Sequence, residues 1–445
     1  MTICWAHLCC PFILGGGHLS RAAGTNNRFY PFSPHLYKLP RFSPHLYKLP
    51  RFPARRAVAT GAATQWLPMA GAHITGVTSR TYRLPMPRPW GPAVSEGPVV
   101  TSQYLIATTV ASSDGGRGQG FSWAVRAGAQ AIQAMVDADC RPVAEGGPVA
   151  PAAAWDRLWW HLREAGGGVT MLAMAAIDIG LWDLRARAAG LGLADLLGRQ
   201  RDRVPVYASG VNRHLTLDEL TEQVSRWVAA GHTRFKIKVG RPGLDEDVER
   251  VAAVRRIIGP GRPLIVDANQ LWDLPTARRA AKALSSFDIF WLEEPLPAED
   301  IQAYARLRSA IDIPVAAGES LYTEAQFRDV LLAGAVDYLQ PNVCRVGGIT
   351  PFLRIARLAR LFGVPVMPHL LPEISGQLAL CLPLPAMIED IDEGSFAALG
   401  ALAEPSGVTI TGDSLEAQTR PGHGLAFATD ALEDVTMRQG GQDGP

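Results

Sequence analysis

The sequence lacks the features that mark several broad classes of protein. Its charge is nearly balanced, with 43 Lys and Arg residues against 42 Asp and Glu residues, so a nucleic-acid or anionic-membrane partner has no bulk electrostatic support. No apolar run is long enough to span a membrane. The six cysteines have no metal-type pair spacing, and we interpret them as reduced, which favours a cytoplasmic location.

Acidic residues are missing from the whole N-terminal part of the chain, where the first one is Glu96. This part also lacks apolar periodicity, and its segment Phe32–Arg41 is repeated without change as Phe42–Arg51. Such a composition cannot bury enough apolar surface to offset the entropy lost on ordering. We predict that residues 1–68 form a disordered or non-native extension and that the functional chain begins near Met69; an Arg-rich transit peptide is the alternative.

The rest of the chain divides into three regions. At 445 residues the chain is long enough for two or three domains, and its hydrophobic fraction of 47% suits a large buried core. Residues 69–200 show strand-like patterns followed by helical ones, interrupted by a Pro- and Gly-rich stretch at Pro85–Pro98 that we expect to be a loop. Residues 201–392 form a candidate barrel, and residues 393–445 form a Gly-rich tail that could fold back on the first region.

Charged and amide side chains stand at the ends of short apolar runs in the second region. Such runs, separated by amphipathic stretches of helical length, are typical of buried strands in a parallel α/β sheet. Polar groups at the carboxyl ends of these strands converge on one mouth when the sheet closes into a barrel. The residues in question are Lys236, Lys238, Asp267, Glu293, Glu294, Glu319, Asn342 and His369. The pattern predicts a divalent-metal site flanked by acid and base groups.

Three of these carboxylates are candidate metal ligands. Asp267, Glu293 and Glu319 follow one another at intervals of 26 residues, about the length of one βα unit. Three carboxylates with open positions suit Mg²⁺, a hard cation that keeps water ligands and accepts substrate oxygens. The alternative is that each acidic residue caps the helix that follows its strand. The even register of all three favours the metal site.

Two lysines are candidate bases. Lys236 and Lys238 are two residues apart on one strand, so both side chains point to the same face, which is the lumen in a barrel. A buried lysine beside another lysine and a metal ion should have a lowered pKa, as a base that removes a proton from carbon requires. The alternative is that both lysines are structural and pair with the carboxylates.

His369 and Glu389 complete the candidate site. His369 ends an apolar run and is a candidate acid or base opposite the lysines, although a lone histidine there is often structural. Glu389 could hydrogen-bond near the substrate, and a surface carboxylate is the alternative.

Taken together, these motifs resemble the enolase superfamily, specifically its mandelate racemase subgroup. The resemblance runs from about Met69 to the C-terminus and includes Lys-Ile-Lys at 236–238, the three evenly spaced carboxylates, the stretch Gln340–Ile349 and the block His369–Ser375. It implies an α/β fold: a modified TIM barrel, (β/α)₇β, under an α+β capping domain formed by the N-terminal region and the C-terminal tail. It implies removal of the proton α to a carboxylate, with Mg²⁺ binding the carboxylate and stabilising the enediolate.

The resemblance also implies substrate contacts. Asn269 would touch the substrate, and Glu389 would hydrogen-bond its carboxylate. The stretches Pro85–Pro98 and Gly118–Ala127, read as capping loops that carry Trp90 and Trp123, would shape specificity. We expect a small-molecule carboxylate substrate, no nucleic-acid or membrane partner, and a homo-oligomer.

One position departs from the family pattern. The family usually pairs its histidine with an aspartate on the preceding strand, and this chain has Asn342 there. We expect the Asn342 amide to orient His369 by accepting a hydrogen bond from its imidazole. An amide cannot stabilise an imidazolium by charge, so His369 should be a weak base. A racemase needs competent bases on both faces of the substrate, whereas a dehydratase needs one base and one acid. The substitution favours dehydration of a sugar acid to a 2-keto-3-deoxy acid; the alternative is a racemase or epimerase of a 2-hydroxy acid.

Overall fold

A computed structural model describes residues 71–91 and 98–436 of the chain. The predicted extension at 1–68 lies outside these residues. None of the described helices is long and apolar enough to cross a membrane.

The first region is an antiparallel sheet covered by helices. Its strands pair in the order β1-β2-β3, and β3 packs against the longest helix, α4. The elements are β1 (Ile74–Trp90), β2 (Val100–Ser112), β3 (Arg117–Ala124), α1 (Ala129–Met135), α2 (Arg141–Ala144), α3 (Pro151–Leu162), α4 (Val169–Ala188) and α5 (Leu193–Leu197). A π-helical turn, Val136–Cys140, joins α1 to α2. We call this part the capping region.

Two stretches that we expected to be loops contain β-strand residues. β1 continues through Pro85 to Trp90, and a register shift in its pairing with β2 lies between these two residues, where it accommodates the prolines. The stretch from Gly118 to Ala124 belongs to β3. A Cβ at Gly118 or Gly120 would collide with backbone carbonyl oxygens of α4, so these glycines allow a helix to approach a strand closely.

The second region is a closed parallel barrel, as predicted. Strands β4 to β9 pair in sequence order, and β10 closes the ring by pairing in parallel with β4. The seventh strand position is reduced to a single bridge between Leu339 and Val366. With it, eight strand positions alternate with seven helices, which is the (β/α)₇β arrangement. The strands are β4 (Arg203–Ser209), β5 (Phe235–Lys238), β6 (Leu264–Asp267), β7 (Ile289–Glu293), β8 (Val315–Ala317), β9 (Tyr338–Leu339) and β10 (Ile388–Ile391). The helices are α6 (Leu217–Ala229), α7 (Leu244–Ile258), α8 (Leu274–Leu284), α9 (Ile301–Arg308), α10 (Glu324–Leu332), α11 (Ile349–Leu361) and α12 (Pro372–Ala379).

The barrel lumen is apolar at its base. Strands β5 and β6 are buried along their whole length because helices cover the outside and side chains fill the inside. The lumenal side chains of this layer form one packed cluster: Tyr207, Ile265, Trp291, Ala316, Met367 and Met387. This apolar floor lies beneath the charged residues and limits their contact with water.

The tail contacts both other regions. It contains β11 (Val408–Thr411), β12 (Ser414–Ala417) and β13 (Glu433–Asp434). β12 pairs with β4 at the barrel, and β13 pairs antiparallel with β1 of the capping region. The expected return of the tail to the first region therefore has a direct structural counterpart, while the domain limits at 200 and 392 stay predictions.

Candidate active site

The three candidate metal ligands converge at the barrel mouth. Asp267 ends β6, Glu293 ends β7, and Glu319 follows β8. One carboxylate oxygen from each lies within 4.8 Å of the others, and all three residues are buried. Within the described part of the chain, the buried atom Glu319 Oε2 forms no hydrogen bond, although His369 Nε2 lies 3.1 Å from it. Buried carboxylate oxygens in this spacing fit Mg²⁺, which takes oxygen ligands.

The two lysines face these carboxylates. Lys236 Nζ lies 2.6 Å from Glu293 Oε1, 2.8 Å from Glu389 Oε1 and 3.7 Å from Asp267 Oδ2. Lys238 Nζ donates to Asp267 Oδ2. Both side chains enter the lumen, as the spacing of two residues predicts.

The neighbouring carboxylates shift the lysine pKa values in the opposite direction to the one that we expect beside a metal ion. Burial does lower the pKa of Lys236, but Glu293 and Glu389 outweigh it and hold that pKa well above the usual value. Burial likewise lowers the pKa of Lys238, and Asp267 reverses the direction. The contacts of both lysines therefore match the alternative in which they are structural and pair with the carboxylates.

The pKa values of two candidate metal ligands shift in opposite directions. Burial, reinforced by the neighbouring charge of Asp267, raises the pKa of Glu293 to about 8 against the opposing effect of Lys236. Burial also acts on Asp267, but Lys238 and Lys236 together lower its pKa to about 2. Crowded buried groups with pKa values driven apart are typical of functional sites.

Asn342 donates a hydrogen bond to His369, whereas we expected its amide to accept one. The Asn342 carbonyl oxygen accepts hydrogen bonds from the backbone N–H groups of Cys344 (3.0 Å) and Arg345 (3.1 Å). These bonds fix the amide orientation, so its NH₂ group faces the imidazole, 3.2 Å from His369 Nδ1. Nδ1 is therefore the acceptor, and the proton resides on Nε2.

His369 Nε2 points to the metal ligands. It lies 3.1 Å from Glu319 Oε2 and 4.0 Å from Glu389 Oε2. Burial lowers the pKa of His369 well below its usual value; Glu389 opposes this shift, and the positive charge of Arg345 reinforces it. A low pKa agrees with the weak base that the Asn342 substitution predicts.

The structure places the four predicted substrate contacts differently. Glu389 is buried in the mouth, where it accepts a hydrogen bond from Ser209 Oγ (2.6 Å) and contacts Lys236. Asn269 is beside Asp267, whose carboxylate accepts from its backbone N–H at 2.8 Å. Trp90 and Trp123 are buried in the apolar core, and the Trp123 indole donates to Gln103 rather than to the charged cluster. A role for the two tryptophans in specificity stays a prediction.

Several residues of the site were not singled out as functional in the sequence. Gln340 Nε2 and Trp291 Nε1 both donate to Glu293 Oε2, at 2.8 and 3.0 Å. Arg345 Nη1 donates to the Glu319 backbone carbonyl at 2.8 Å. Gln340 follows β9 and so had the same strand-end signal as the carboxylates. Arg345 does not follow an apolar run, so no strand pattern indicated that it lies at the barrel mouth.

Backbone strain is concentrated around the mouth. Non-glycine residues with positive φ follow three of the strand ends: Asn269 (44°), Gln270 (65°), Glu294 (37°), Leu370 (52°) and Leu371 (52°). Side-chain contacts tie this backbone together, since Gln270 Nε2 donates to Glu294 Oε2 (3.0 Å) and Ser320 Oγ (2.9 Å). Conformations of this kind persist where surrounding contacts hold them, and they cluster at active sites.

Fold and site together define a class: a capped α/β barrel whose mouth holds three metal-binding carboxylates between two lysines and a histidine. Family comparisons agree with this class. Residues 79–198 match the family described as "Mandelate racemase / muconate lactonizing enzyme, N-terminal domain", and residues 219–431 match "Enolase C-terminal domain-like". The chain belongs to the mandelate racemase / muconate lactonizing enzyme family of the enolase superfamily.

Similar proteins include sugar-acid enzymes. The chain is 37% identical to L-talarate/galactarate dehydratase of Salmonella typhimurium, over 76% of this chain and 84% of that protein. It is 35% identical to 3,6-anhydro-alpha-L-galactonate cycloisomerase of Streptomyces coelicolor, over 81% of this chain and 98% of that protein. The solved structure of L-talarate dehydratase from Polaromonas sp. JS666, complexed with Mg and L-glucarate, has a TM-score of 0.76 and 35% identity, covering 83% of this chain and 100% of that one.

Proposed function

We propose that this protein is a Mg²⁺-dependent dehydratase that converts a sugar acid to a 2-keto-3-deoxy acid. The observation that carries the proposal is the placement of two proton-transfer groups at opposite ends of one row of carboxylates. Lys238 contacts Asp267 at one end, and His369 Nε2 lies 3.1 Å from Glu319 at the other. A substrate held along the row would have a base near one carbon and a proton donor near the next.

The metal carboxylates fit the cofactor that this chemistry needs. Asp267, Glu293 and Glu319 would hold Mg²⁺, with Gln340 and Trp291 orienting Glu293 through its second oxygen. When bound, Mg²⁺ supplies positive charge that stabilises the negative charge that develops on a substrate carboxylate. A cation held by Asp267 would draw this carboxylate away from Lys238 and so remove the main cause of the raised pKa of that lysine, as a base requires.

Lys238 and His369 each carry out one of the two proton transfers. Lys238 Nζ removes the proton from the carbon α to the carboxylate, which leaves an enediolate. The electron pair then forms the Cα–Cβ double bond as the bond between Cβ and its hydroxyl breaks, and His369 Nε2 protonates the departing oxygen to give water. The enol tautomerises to the 2-keto-3-deoxy acid. Lys236 and Glu389 lie beside the row and would bind the substrate carboxylate.

The orientation of Asn342 supports dehydration over racemisation. Its NH₂ group faces His369 Nδ1, so this nitrogen has no acceptor for a second proton, and imidazolium is disfavoured. A racemase needs His369 to remove a proton from carbon and so to become imidazolium. Elimination needs the opposite change: the neutral imidazole donates its Nε2 proton, and the hydrogen bond from Asn342 to Nδ1 stabilises the imidazolate that results until solvent returns a proton to it.

We also propose that the protein is a cytoplasmic homo-oligomer. Large apolar side chains at the ends of α10 and α11 support self-association, since Leu332 and Leu361 are 66% and 83% exposed. Light scattering of the purified protein measures the assembly directly, and a monomer at micromolar concentration would contradict it.

Product analysis tests the reaction. The purified protein with Mg²⁺ is incubated with a library of sugar acids, and 2-keto acid formation is measured. We expect at least one sugar acid to yield a 2-keto-3-deoxy acid. A stereoisomer of the substrate without keto acid would replace the dehydratase with a racemase or epimerase.

A further inference from the structure

A second cavity lies where the capping region packs against the outside of the barrel. Helices α4 and α5 form one side of it, and α11 and the segment after α12 form the other. Its volume is about 360 Å³, within the range of small-molecule sites. Among the residues that the structure describes, none of those at the barrel mouth lines it. This concave site is therefore separate from the one that performs the proposed reaction.

Three arginines line this cavity, which we call the arginine cavity: Arg185 of α4, and Arg357 and Arg360 of α11. A direct contact holds the two helices together, since Trp182 Nε1 of α4 donates to Thr350 Oγ1 of α11 at 2.9 Å. Arg185 is three residues beyond Trp182, and Arg357 is seven residues beyond Thr350, so each follows the contact on the same helix face. The packing of α4 on α11 thus brings the arginines to one cavity.

The protein does not neutralise the charges of these arginines. Within the described ranges, no Asp or Glu lines the cavity, and none of the three side chains forms a hydrogen bond or an ion pair. Other arginines of the same helices differ, because Arg187 of α4 lies 2.6 Å from Asp183 and Arg354 of α11 lies 2.9 Å from Asp156. The cavity therefore concentrates positive charge in a chain whose net charge is only +1.

The rest of the lining is largely apolar, and its polar side chains have partners in the protein. Leu353 and Pro383 belong to the apolar part, together with the half-buried ring of Trp182. The Trp182 indole N–H is used in the contact with α11, and Gln200 Nε2 donates to the Cys381 carbonyl oxygen at 3.2 Å. A ligand in the cavity would meet apolar surface with its body and unpaired guanidinium groups with its charge.

We propose that the arginine cavity binds a small organic phosphate, with the phosphate on the three arginines and the apolar part against Trp182 and Leu353. A phosphate monoester carries about −1.5 to −2 charges at pH 7 and three acceptor oxygens, so it can satisfy more than one guanidinium group. A carboxylate carries a single charge and two oxygens, which suits one arginine. The phosphate is therefore the anion that best matches the charge of this cavity.

The ligand would join two regions of the molecule. Arg185 belongs to the capping region, whereas Arg357 and Arg360 belong to a barrel helix. A phosphate bound by all three would stabilise the contact between these regions. The inference does not rest on the proposed reaction, because its site and its test are both independent of turnover.

Four small probes test the ligand class in the full chain with Mg²⁺. Phenyl phosphate has both the ring and the phosphate, benzoate exchanges the anion, and phenol and inorganic phosphate each lack one part. Binding is measured by calorimetry and by the shift in Tm. We expect phenyl phosphate to bind and to raise Tm, since it binds the native state, with benzoate and inorganic phosphate at least about tenfold weaker and phenol without effect.

Arginine variants test the location. Arg357→Gln and Arg185→Gln should each weaken phenyl phosphate at least about tenfold, while Tm without the ligand stays near the wild-type value. Arg256→Gln is the matched control, because it removes an exposed arginine of α7 that does not line the cavity, and it should bind normally.

Three results would overturn the inference. The first is phenyl phosphate that does not bind, or that binds Arg357→Gln as tightly as the wild type. The second is benzoate bound as tightly as phenyl phosphate through the same arginines. The third comes from light scattering of Arg357→Gln: a changed assembly with unchanged phenyl phosphate affinity would show that a second copy of the chain occupies the cavity. Each result leaves the proposed dehydratase untouched.

Discussion

Two clusters of charged and polar groups differ in how completely their hydrogen bonds are satisfied, and the difference separates a structural site from a functional one. The first is the tail anchor, formed by Asp183, Arg187, Gln119 and His423. Asp183 Oδ2 accepts from Gln119 N (2.9 Å) and Arg187 Nε (2.6 Å), while Oδ1 accepts from His423 N (2.9 Å). His423 Nε2 lies 2.7 Å from the Gln119 carbonyl oxygen, and Nδ1 accepts from Leu425 N. The cluster satisfies its own hydrogen-bonding groups.

The barrel mouth has unsatisfied groups. Glu319 Oε2 and Glu389 Oε2 are buried and form no hydrogen bond among the described residues, although His369 Nε2 lies 3.1 Å from Glu319 Oε2. Asp267 and Glu293 both contact Lys236. Buried polar atoms are normally paired, so exceptions call for a ligand or another reason. The difference indicates that the tail anchor holds the fold together, whereas the mouth keeps binding capacity for a metal and a substrate.

The largest effect should come from the proposed base. Lys238→Ala removes the group that accepts the α-proton but leaves the three metal carboxylates in place. We expect α-proton exchange in deuterated water to fall about 10²- to 10⁴-fold, with Mg²⁺ binding retained. Exchange measured by NMR at the wild-type rate would assign the base elsewhere. Asp183→Asn, in the tail anchor, is the control and should exchange normally.

Stabilisation of the fold by Mg²⁺ should distinguish the metal ligands from the tail anchor. Mg²⁺ at 100 times its dissociation constant should stabilise the wild-type fold by about 2.7 kcal/mol, because it binds only the native state. Glu293→Gln should lose this stabilisation and nearly all turnover. Gln340→Leu, which removes a hydrogen bond to Glu293, should weaken Mg²⁺ about 10- to 100-fold. Calorimetric Mg²⁺ affinity unchanged in Glu293→Gln would discard the assignment.

The tail anchor should give the opposite result. Asp183→Asn removes the charge from the hydrogen bonds that join the tail to the capping region, and we expect a loss of about 1.5–3 kcal/mol in the free energy of unfolding. Activity per folded molecule should stay near the wild-type value, since the residue belongs to a separate cluster. Urea denaturation and kcat, measured on the same preparation, check both. A variant with normal stability but lost turnover would contradict the structural role.

The smallest effect should follow removal of the N-terminal extension. A chain that begins at Met69 should fold cooperatively and turn over at the wild-type rate, because residues 1–68 lack acids and apolar periodicity. Thermal melting and kcat of the two chains test this directly. Loss of the cooperative transition would show that the extension contributes to the fold.

The barrel and the metal residues could be predicted because local patterns determine them. Each carboxylate follows a run that is apolar on both faces, and the even spacing repeats one βα unit. β3 was less accessible to this reasoning, since Gly118 and Gly120 suggest a loop until their close approach to α4 is known. The tail anchor joins Asp183 to His423 across 240 residues, a contact that no local signal indicates.

The chemistry of the site depended on contacts that the sequence does not specify. The lysines were expected to have lowered pKa values, and the structure raises them because Glu293, Glu389 and Asp267 are the nearest partners. The direction of the Asn342 amide follows from the backbone N–H groups of Cys344 and Arg345. Residue type alone could not decide whether that amide donates to His369 or accepts from it.

His369→Asn tests the central claim most directly. The variant and the wild type are incubated with Mg²⁺ and a sugar-acid substrate in deuterated water, and both α-proton exchange and 2-keto acid formation are followed by NMR. If Lys238 is the base and His369 the acid, the variant should keep exchange at the α-carbon while keto acid formation stops. Normal elimination with loss only of stereoinversion would contradict the dehydratase and establish a racemase in its place.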